Sequence, residues 1–231
     1  PLYKGLNPSL NENATYPGEY KYKYPMAGVD NSKVSVHTFD IKSKVTRKMD
    51  LPIDAESYIP RIKFTDSPDA LAVMVLNRHQ DQFDLYFSNP KSKVSKIMVR
   101  DKNPQYIKED AYSNVNFFPE NIIMMSERDG YNHLYLYTIG GNLVKQITKG
   151  NFEVKSFLGW DKATGTFYYE SNEGNPTQTA IYKVDSKGRK TLLSSKKGTN
   201  SAIFSKSLKN YINTFSNATT PPVVTINDNN G

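Results

Sequence analysis

The sequence contains no cysteine among its 231 residues, so disulfide bonds and thiolate metal sites are excluded. It has no apolar run of about 18 residues, so no membrane-spanning helix is expected. Its first residue is Pro1, and no basic segment followed by an apolar one comes after it. We therefore expect a processed product or an excised piece of a longer protein, without a signal peptide of its own.

Catalytic and metal-binding signatures are also missing. The sequence has only three histidines, and no two of them have the close spacing of a helical or hairpin metal site. No Gly-x-Ser-x-Gly motif, the nucleophile turn of α/β-hydrolases, occurs anywhere. These absences predict no catalytic residue, no metal site and no cofactor in this chain.

The charge distribution gives no sign of nucleic-acid binding. The net charge is +7, from 30 basic and 23 acidic residues. The basic residues are spread singly or in pairs, as at Lys42/Lys44 and Lys91/Lys93, whereas a nucleic-acid surface clusters them with stacking aromatics on one element. We interpret them as solvated turn lysines that also protect strand edges.

Aromatic residues are abundant, with 16 Tyr and 11 Phe, and they occur in short segments separated by turns. The clearest unit is a hairpin over residues 121–137. An apolar strand at 121–125 precedes the turn Arg128-Asp129-Gly130, and a Tyr-rich strand at 133–137 follows it. Asp-Gly supplies the positive φ angle that a tight reversal needs.

The hairpin belongs to a strand plan that repeats along the chain. The matching positions in successive third strands are His37, Tyr86, Tyr135, Tyr182 and Val224. A four-strand unit that recurs at roughly 40–50 residues is typical of β-propeller blades, whereas a β-sandwich, the alternative, would not repeat its whole plan at this interval.

We therefore predict an all-β fold of about four antiparallel four-stranded blades, cut from a larger ring. The predicted units are an irregular entry segment (1–33), the end of a first blade (34–57), three blades (58–100, 101–149 and 150–197) and an incomplete last blade (198–231). An open arc would leave sheet edges and an apolar face uncovered, so further blades or a covering partner are expected.

Several segments carry a family resemblance. They are residues 22–28 (YKYPMAG) with 31–36 (NSKVSV), 58–64 (YIPRIKF), 76–80 (LNRHQ) with 84–86 (DLY), 126–137 (SERDGYNHLYLY) with 146–150 (QITKG), 198–200 with 204–205, and 220–221. Together they resemble the N-terminal β-propeller domain of bacterial dipeptidyl peptidase IV, in the prolyl oligopeptidase clan of serine peptidases. The resemblance runs from about residue 16 to the end of the chain and matches the second half of the propeller.

The resemblance implies a parent enzyme that releases N-terminal dipeptides with Pro or Ala in the second position. In that family an eight-bladed propeller caps an α/β-hydrolase domain that carries a Ser-Asp-His triad, and two adjacent glutamates hold the substrate amine. No adjacent Glu-Glu occurs in this sequence, so these functional residues do not carry over. The implied partners are a peptide substrate, the missing blades, the hydrolase domain and a second copy in a homodimer. The implied location is the periplasm or the cell surface, or outside the cell.

The histidines and the acidic residues, which could in principle carry chemistry, have structural interpretations. His37 and His133 are expected to be packed or edge-paired strand residues, and His79 is expected to be solvated in a hairpin loop. Paired carboxylates would be needed for a propeller glycosidase, but turn chemistry and strand-edge charge account better for the acidic residues of this sequence. The acidic residues concerned are Asp81, Asp84, Asp101, Glu109, Asp110, Glu120, Glu127 and Asp129.

Two long connections remain as candidate binding elements, because binding residues concentrate on loops over a rigid scaffold. Residues 102–110 are the least repetitive connection, and residues 172–178 are the next. In the family a segment near the first contributes to the substrate pocket, which suggests Tyr106, Glu109 and Tyr112 as cavity residues. The alternative function is a free-standing propeller module that binds peptides or glycans.

Overall fold

The computed structural model describes residues 2–6, 15–16, 19–23, 28–194 and 197–229. Within these residues the secondary structure consists of strands and one five-residue helix. The strands form six sheets, in which all pairings between named strands are antiparallel. Nowhere in this part of the chain is there a helix long and apolar enough to cross a membrane.

Two hairpins come first. β1 (Leu2–Leu6) pairs with β2 (Glu19–Lys23), and β3 (His37–Asp40) pairs with β4 (Val45–Lys48). The entry segment 1–33 was expected to be irregular apart from a short strand near residue 21, so the β1–β2 hairpin corrects that expectation. The alternating strand at residue 21 finds its partner in Leu2–Leu6, whose backbone groups would otherwise lack a ladder.

Four larger sheets follow, each in chain order. The first contains β5 (Tyr58–Phe64), β6 (Leu71–Leu76), β7 (Gln82–Ser88) and β8 (Ser95–Lys102). The helix α1 (Glu109–Ser113) leads to the second, with β9 (Asn116–Phe117), β10 (Asn121–Ser126), β11 (His133–Thr138) and β12 (Leu143–Gln146). The third contains β13 (Val154–Asp161), β14 (Thr166–Ser171), β15 (Ala180–Val184) and β16 (Lys190–Leu192), and the last has β17 (Thr199–Phe204), β18 (Asn210–Asn217) and β19 (Thr220–Asp228).

The sheets stack face to face in a series, as β6 shows. All six of its residues are buried. Ala72, Met74 and Leu76 pack against Ile122 and Met124 of the following sheet. Since side chains alternate along a strand, the intervening residues of β6 face the preceding hairpin and pack against its Val36 and Met49.

The same alternation links the remaining sheets. Ile123 and Met125 of β10 pack against Phe167 and Tyr169 of β14, and Tyr168 packs against the last sheet. A β-sandwich would bury only one face of each sheet, whereas β6, β10 and β14 are buried on both faces. Four-stranded antiparallel units packed in this way are β-propeller blades, so the predicted fold class is confirmed.

The strand alignment used for the repeat also agrees with the structure. Tyr86, Tyr135, Tyr182 and Val224 lie in the third strands of the four larger sheets, β7, β11, β15 and β19. His37 lies in β3. Tyr135 is buried in the core between two blades.

One strand is shorter than its sequence pattern predicts. The pattern of residues 112–118 predicts a strand, but α1 extends to Ser113, and β9 spans only Asn116–Phe117. Glu109 and Asp110 in the first turn of α1 complement the positive helix terminus, and Ala111 is buried in the core. Residues 32–36, also predicted as strand, precede β3 without strand structure.

Candidate functional site

Binding elements are expected at one end of the blades. In an antiparallel meander the connections alternate between two ends. We call the end where β6 passes to β7, and β8 to β9, the upper edge; the lower edge is where β5 passes to β6, and β7 to β8. Both connections singled out in the sequence, residues 102–110 and 172–178, lie at the upper edge.

The first connection is anchored to the preceding blade. The amide of Asn103 donates to Asp81 O at 3.0 Å, and the amide of Ile107 donates to Gln80 O at 2.7 Å. The Ile107 and Ala111 side chains are buried in the core between the first two four-stranded blades. The connection is therefore a fixed part of the upper edge, and its exposed side chains have defined positions.

The three predicted cavity residues occupy two places on this connection. Tyr106 is half exposed and lines a cleft of about 350 Å³ together with Asn103, Gln105, Glu127 and Arg128. The Glu109 carboxylate accepts a hydrogen bond from Arg61 at 2.6 Å. Tyr112 packs against the core, where burial, followed by the Glu109 charge, raises the pKa of its hydroxyl. Glu109 and Tyr112 therefore lie together, and Tyr106 lies apart at the cleft.

Arg128 forms one wall of the cleft. Its guanidinium carbon lies 4.5 Å from the centre of the Tyr135 ring and 5.8 Å from that of Tyr137. Its Nη2 lies 3.1 Å from Oδ1 of Asp101, whose side chain is only 4% exposed. Arg128 Nε also donates to Ser126 Oγ at 3.0 Å. Because these contacts fix the guanidinium, Arg128 holds the cleft wall in one position.

Sequence reasoning missed this role of Arg128. It assigned residues 128–130 to a turn, and the structure confirms the turn, since Gly130 N donates to Glu127 O at 2.9 Å. The alternating Tyr135 and Tyr137 on the following strand were a signal for an aromatic platform. The partner Asp101 ends a strand of a different blade, and local patterns do not reveal such a pair.

A lysine joins the connection to the next two blades. Lys108 forms an ion pair with Glu127, and its Nζ lies 3.6 Å from Oε1 of Glu153. The hydrogen bond to Glu127 raises the pKa of Lys108 despite its partial burial. Lys155, followed by Lys108, lowers the pKa of Glu153 against its desolvation. These ion pairs connect the anchored connection with the two blades that follow it at the upper edge.

A second recess lies beside residues 172–178. It has a volume of about 290 Å³ and is lined by Asn175, Gln178, Tyr182 and Ser194 among others. Glu173 of the same loop pairs with Lys190 of β16. Burial, and then the Glu173 charge, raises the pKa values of Tyr169 and Tyr182. Both loops singled out from sequence therefore border a recess on the same edge.

The histidines have structural environments. His133 is fully buried, with Nδ1 3.0 Å from Thr148 Oγ1 and Nε2 2.9 Å from Gly150 O. His37 is exposed and lies 3.0 Å from Ser35 Oγ. His79 is exposed in its hairpin loop. Over the described part of the chain, no group of three or more histidine and carboxylate side chains could hold a metal ion.

The carboxylates considered for glycoside hydrolysis are held in ion pairs and turns. Asp84 makes a bidentate contact with Arg100, at 2.7 and 2.8 Å. Glu120 pairs with Lys162 at 3.5 Å. Asp81 accepts from the Asn77 amide at 2.6 Å in a hairpin turn. These carboxylates have partners inside their own blade or the next. Hydrogen bonds and ion pairs within the fold therefore account for their positions.

The stacked four-stranded sheets and the recessed upper edge identify this chain as a segment of a β-propeller. A family model described as the dipeptidyl peptidase IV N-terminal region matches residues 5–222, and the chain belongs to that family. The dipeptidyl peptidase 4 structure from Porphyromonas gingivalis superposes on the whole chain with a TM-score of 0.90 at 44% identity, and the chain covers 32% of it. A Bacteroides ovatus structure at 21% identity, with a TM-score of 0.80, supports the fold alone.

The chain is also similar to a fungal member of this family. Dipeptidyl peptidase 4 of Trichophyton rubrum is 28% identical over 179 residues, which are 73% of this chain and 23% of the relative. The chain thus spans about a quarter of the length of this curated relative and about a third of the solved structures. It corresponds to part of the propeller region of larger enzymes.

Proposed function

We propose that this chain is the non-catalytic second half of the propeller of a serine exopeptidase that removes Xaa-Pro and Xaa-Ala dipeptides from peptide N-termini. The family and the 44% identity to a bacterial dipeptidyl peptidase 4 support this proposal. The nucleophile, the triad and the paired glutamates are assigned to parts of the parent protein outside these 231 residues.

The role of the chain in that enzyme is to line and gate the cavity that the substrate enters. The observation that carries this role is the upper edge, where the Lys108 and Arg128 contacts fix a connection that presents Tyr106 beside a cleft of about 350 Å³. A fixed, partly aromatic rim can position a peptide without taking part in bond cleavage. Tyr106, Glu109 and Tyr112 are the proposed cavity residues.

The proposal requires partners. They are the peptide substrate, the remaining propeller blades and an α/β-hydrolase domain that supplies the triad, with a homodimer as the proposed assembly. The last sheet has an exposed apolar row, Ile203, Ile212 and Ile226, on one face, where a neighbouring surface would remove it from water. We place the enzyme in the periplasm, at the cell surface or outside the cell.

The test is hydrolysis of a Gly-Pro chromogenic substrate by the 231-residue chain and by the intact protein from the same gene. The intact protein is expected to release the chromophore, and the chain alone is expected to release none, because it has no nucleophile. Activity in the isolated chain would refute the proposal. Inactivity of the intact protein, together with peptide or glycan binding by the chain, would favour the alternative of a free-standing binding module.

A further inference from the structure

Two turns at the lower edge share the sequence Lys-Ser-Lys-Val, at residues 42–45 and 91–94. In the first, Asp40 Oδ1 accepts from the amide of Ser43 at 2.7 Å, and the amide of Lys44 donates to Asp40 O at 2.8 Å. In the second, Asn89 Oδ1 accepts from Lys91 and Ser92 amides at 2.8 and 3.0 Å. The amide of Lys93 likewise donates to Asn89 O at 2.9 Å, so adjacent blades carry the same turn.

The second lysine of each turn has a left-handed backbone. The φ angle is 58° at Lys44 and 70° at Lys93. The corresponding turns of the next two blades have Gly141 and Gly188 with φ of 90° and 82°. A lysine in this region costs on the order of 1 kcal/mol relative to glycine. The turn geometry alone therefore does not explain the two lysines.

The two turns form one continuous surface. Thr38 Oγ1 donates to Pro90 O at 3.5 Å, and the amide of Asp50 donates to Lys93 O at 2.9 Å. The surface, which we call the KSKV surface, consists of residues 39–48 and 89–94. Its basic side chains are Lys42, Lys44, Arg47, Lys48, Lys91 and Lys93.

Carboxylates offset only part of this charge. Asp40 and Asp50 adjoin the turns, and Asp69 pairs with Lys91 at 3.1 Å. Hydrogen bonds from Ser43 lower the pKa of Asp40, which is therefore ionised. In the described part of the chain, Lys42, Lys44 and Lys93 have no ion-pair partner. The surface has six basic groups against Asp40 and the two bordering carboxylates Asp50 and Asp69, so its field attracts anions.

Exposed apolar side chains lie among the lysines. Ile41 is 74% exposed at the tip of the first turn, and Val94 is 60% exposed at the end of the second. Protein interfaces favour Arg and contain little Lys, whereas five of these six cations are lysines. Lysines beside protruding apolar groups instead suit a diffuse anionic lipid surface.

We propose that the KSKV surface binds an anionic lipid membrane. The ammonium groups of Lys42, Lys44 and Lys93 contact lipid phosphates, and Ile41 and Val94 enter the boundary between headgroups and acyl chains. This association is peripheral and involves no membrane-spanning segment. It is independent of the proposed peptidase role, which concerns the opposite edge of the blades.

The test is cosedimentation of the full chain with vesicles of phosphatidylcholine alone, or with about one third phosphatidylglycerol. The test variant combines Lys42→Ser, Lys44→Asn and Lys93→Asn, because asparagine tolerates the left-handed backbone. The matched control combines Lys102→Ser, Lys149→Ser and Lys197→Ser, which removes three exposed charges near the upper edge. The thermal unfolding midpoint of each variant verifies that it folds.

We expect the unmodified chain to bind only the anionic vesicles, and less tightly as salt rises. The test variant should bind about 100-fold more weakly, since each of the three lysines contributes about a fivefold gain near an anionic surface. The control variant should keep most of the binding. Failure of the unmodified chain to bind, or equal losses in the two variants, would overturn the proposal. Retention on a polyglutamate matrix without vesicle binding would assign the surface to an acidic protein and would also overturn it.

Discussion

Arg128 connects the turn, the aromatic strand and the neighbouring blade through one side chain. It stacks on Tyr135 and forms an ion pair with the buried Asp101. The hydroxyl groups of Tyr135 and Tyr137 are buried and have no hydrogen-bond partner among the residues that the structure describes, and burial raises the pKa values of both. The tyrosines therefore remain neutral at physiological pH and act as an aromatic surface for the guanidinium.

Substitution of Arg128 should destabilise the chain. Arg128→Ala leaves the Asp101 carboxylate unpaired at 4% exposure, so the free energy of unfolding should fall by about 2–4 kcal/mol. Arg128→Lys should recover only part of this loss, because an ammonium group lacks the planar fork. Urea denaturation measures both values.

The matched control for this prediction is Arg189→Ala. Arg189 pairs with Asp185 at 2.7 Å, but its side chain is 77% exposed, so its loss should cost less than about 1 kcal/mol. If Arg128→Ala and Arg189→Ala cost the same, Arg128 is a solvated turn residue and its assigned role is wrong.

At the scale of elements, strands with strong local patterns were predictable. The apolar run at residues 70–76 and the Tyr-rich run at 133–137 appear as β6 (Leu71–Leu76) and β11 (His133–Thr138). Local patterns did not predict the secondary structure where tertiary contacts determine the backbone conformation. Residues 112–114 have a strand-like sequence context, but burial of Ala111 against the preceding blade favours a helical turn.

Pairs between distant segments were also beyond local patterns. The partner of β2 lies at Leu2–Leu6, across a long connection, and no feature of either strand identifies the other. The Lys108 contacts at the upper edge likewise join three blades. The sequence therefore singled out two connections that border recesses at the upper edge, but it did not predict the charged network around the first of them.

The turn between β11 and β12 shows how one glycine sets the contact between two blades. At Gly141 φ is 90°, and an added Cβ would lie 2.0 Å from Met98 O in β8 of the preceding blade. At Gly140 the nearest atom would be Thr138 Oγ1, at an ordinary 3.8 Å. A Gly-Gly pair predicts a tight turn, and the approach to Met98 explains why the second glycine is required.

Gly141→Ala should therefore destabilise the chain by about 2–4 kcal/mol, through backbone strain together with displacement of β8. Gly140→Ala, the matched control, should change the free energy of unfolding by less than about 1 kcal/mol. Thermal or urea unfolding distinguishes the two. Equal stability of the two variants would show that the turn is free to move away from β8.

At the scale of the whole molecule, the blade repeat determines which loops share an edge. Because connections alternate between two edges, the loops at residues 102–110 and 172–178 lie on one edge, and the two KSKV turns lie on the other. We propose that the upper edge faces the peptide in the intact enzyme and that the lower edge faces a membrane. The blade repeat was predictable from the sequence, and the assignment of each loop to the upper or lower edge follows from that repeat.

The central claim is that the upper edge lines the substrate cavity without taking part in the chemistry. The most direct test is steady-state hydrolysis of a Gly-Pro substrate by the intact protein carrying Tyr106→Ala, with Phe64→Ala as the matched removal of an exposed ring from the lower-edge end of β5. We expect a KM increase of about threefold to tenfold with kcat nearly unchanged for Tyr106→Ala, and no change for Phe64→Ala. Unchanged KM in the Tyr106 variant, or a large loss of kcat without a change in KM, would contradict it.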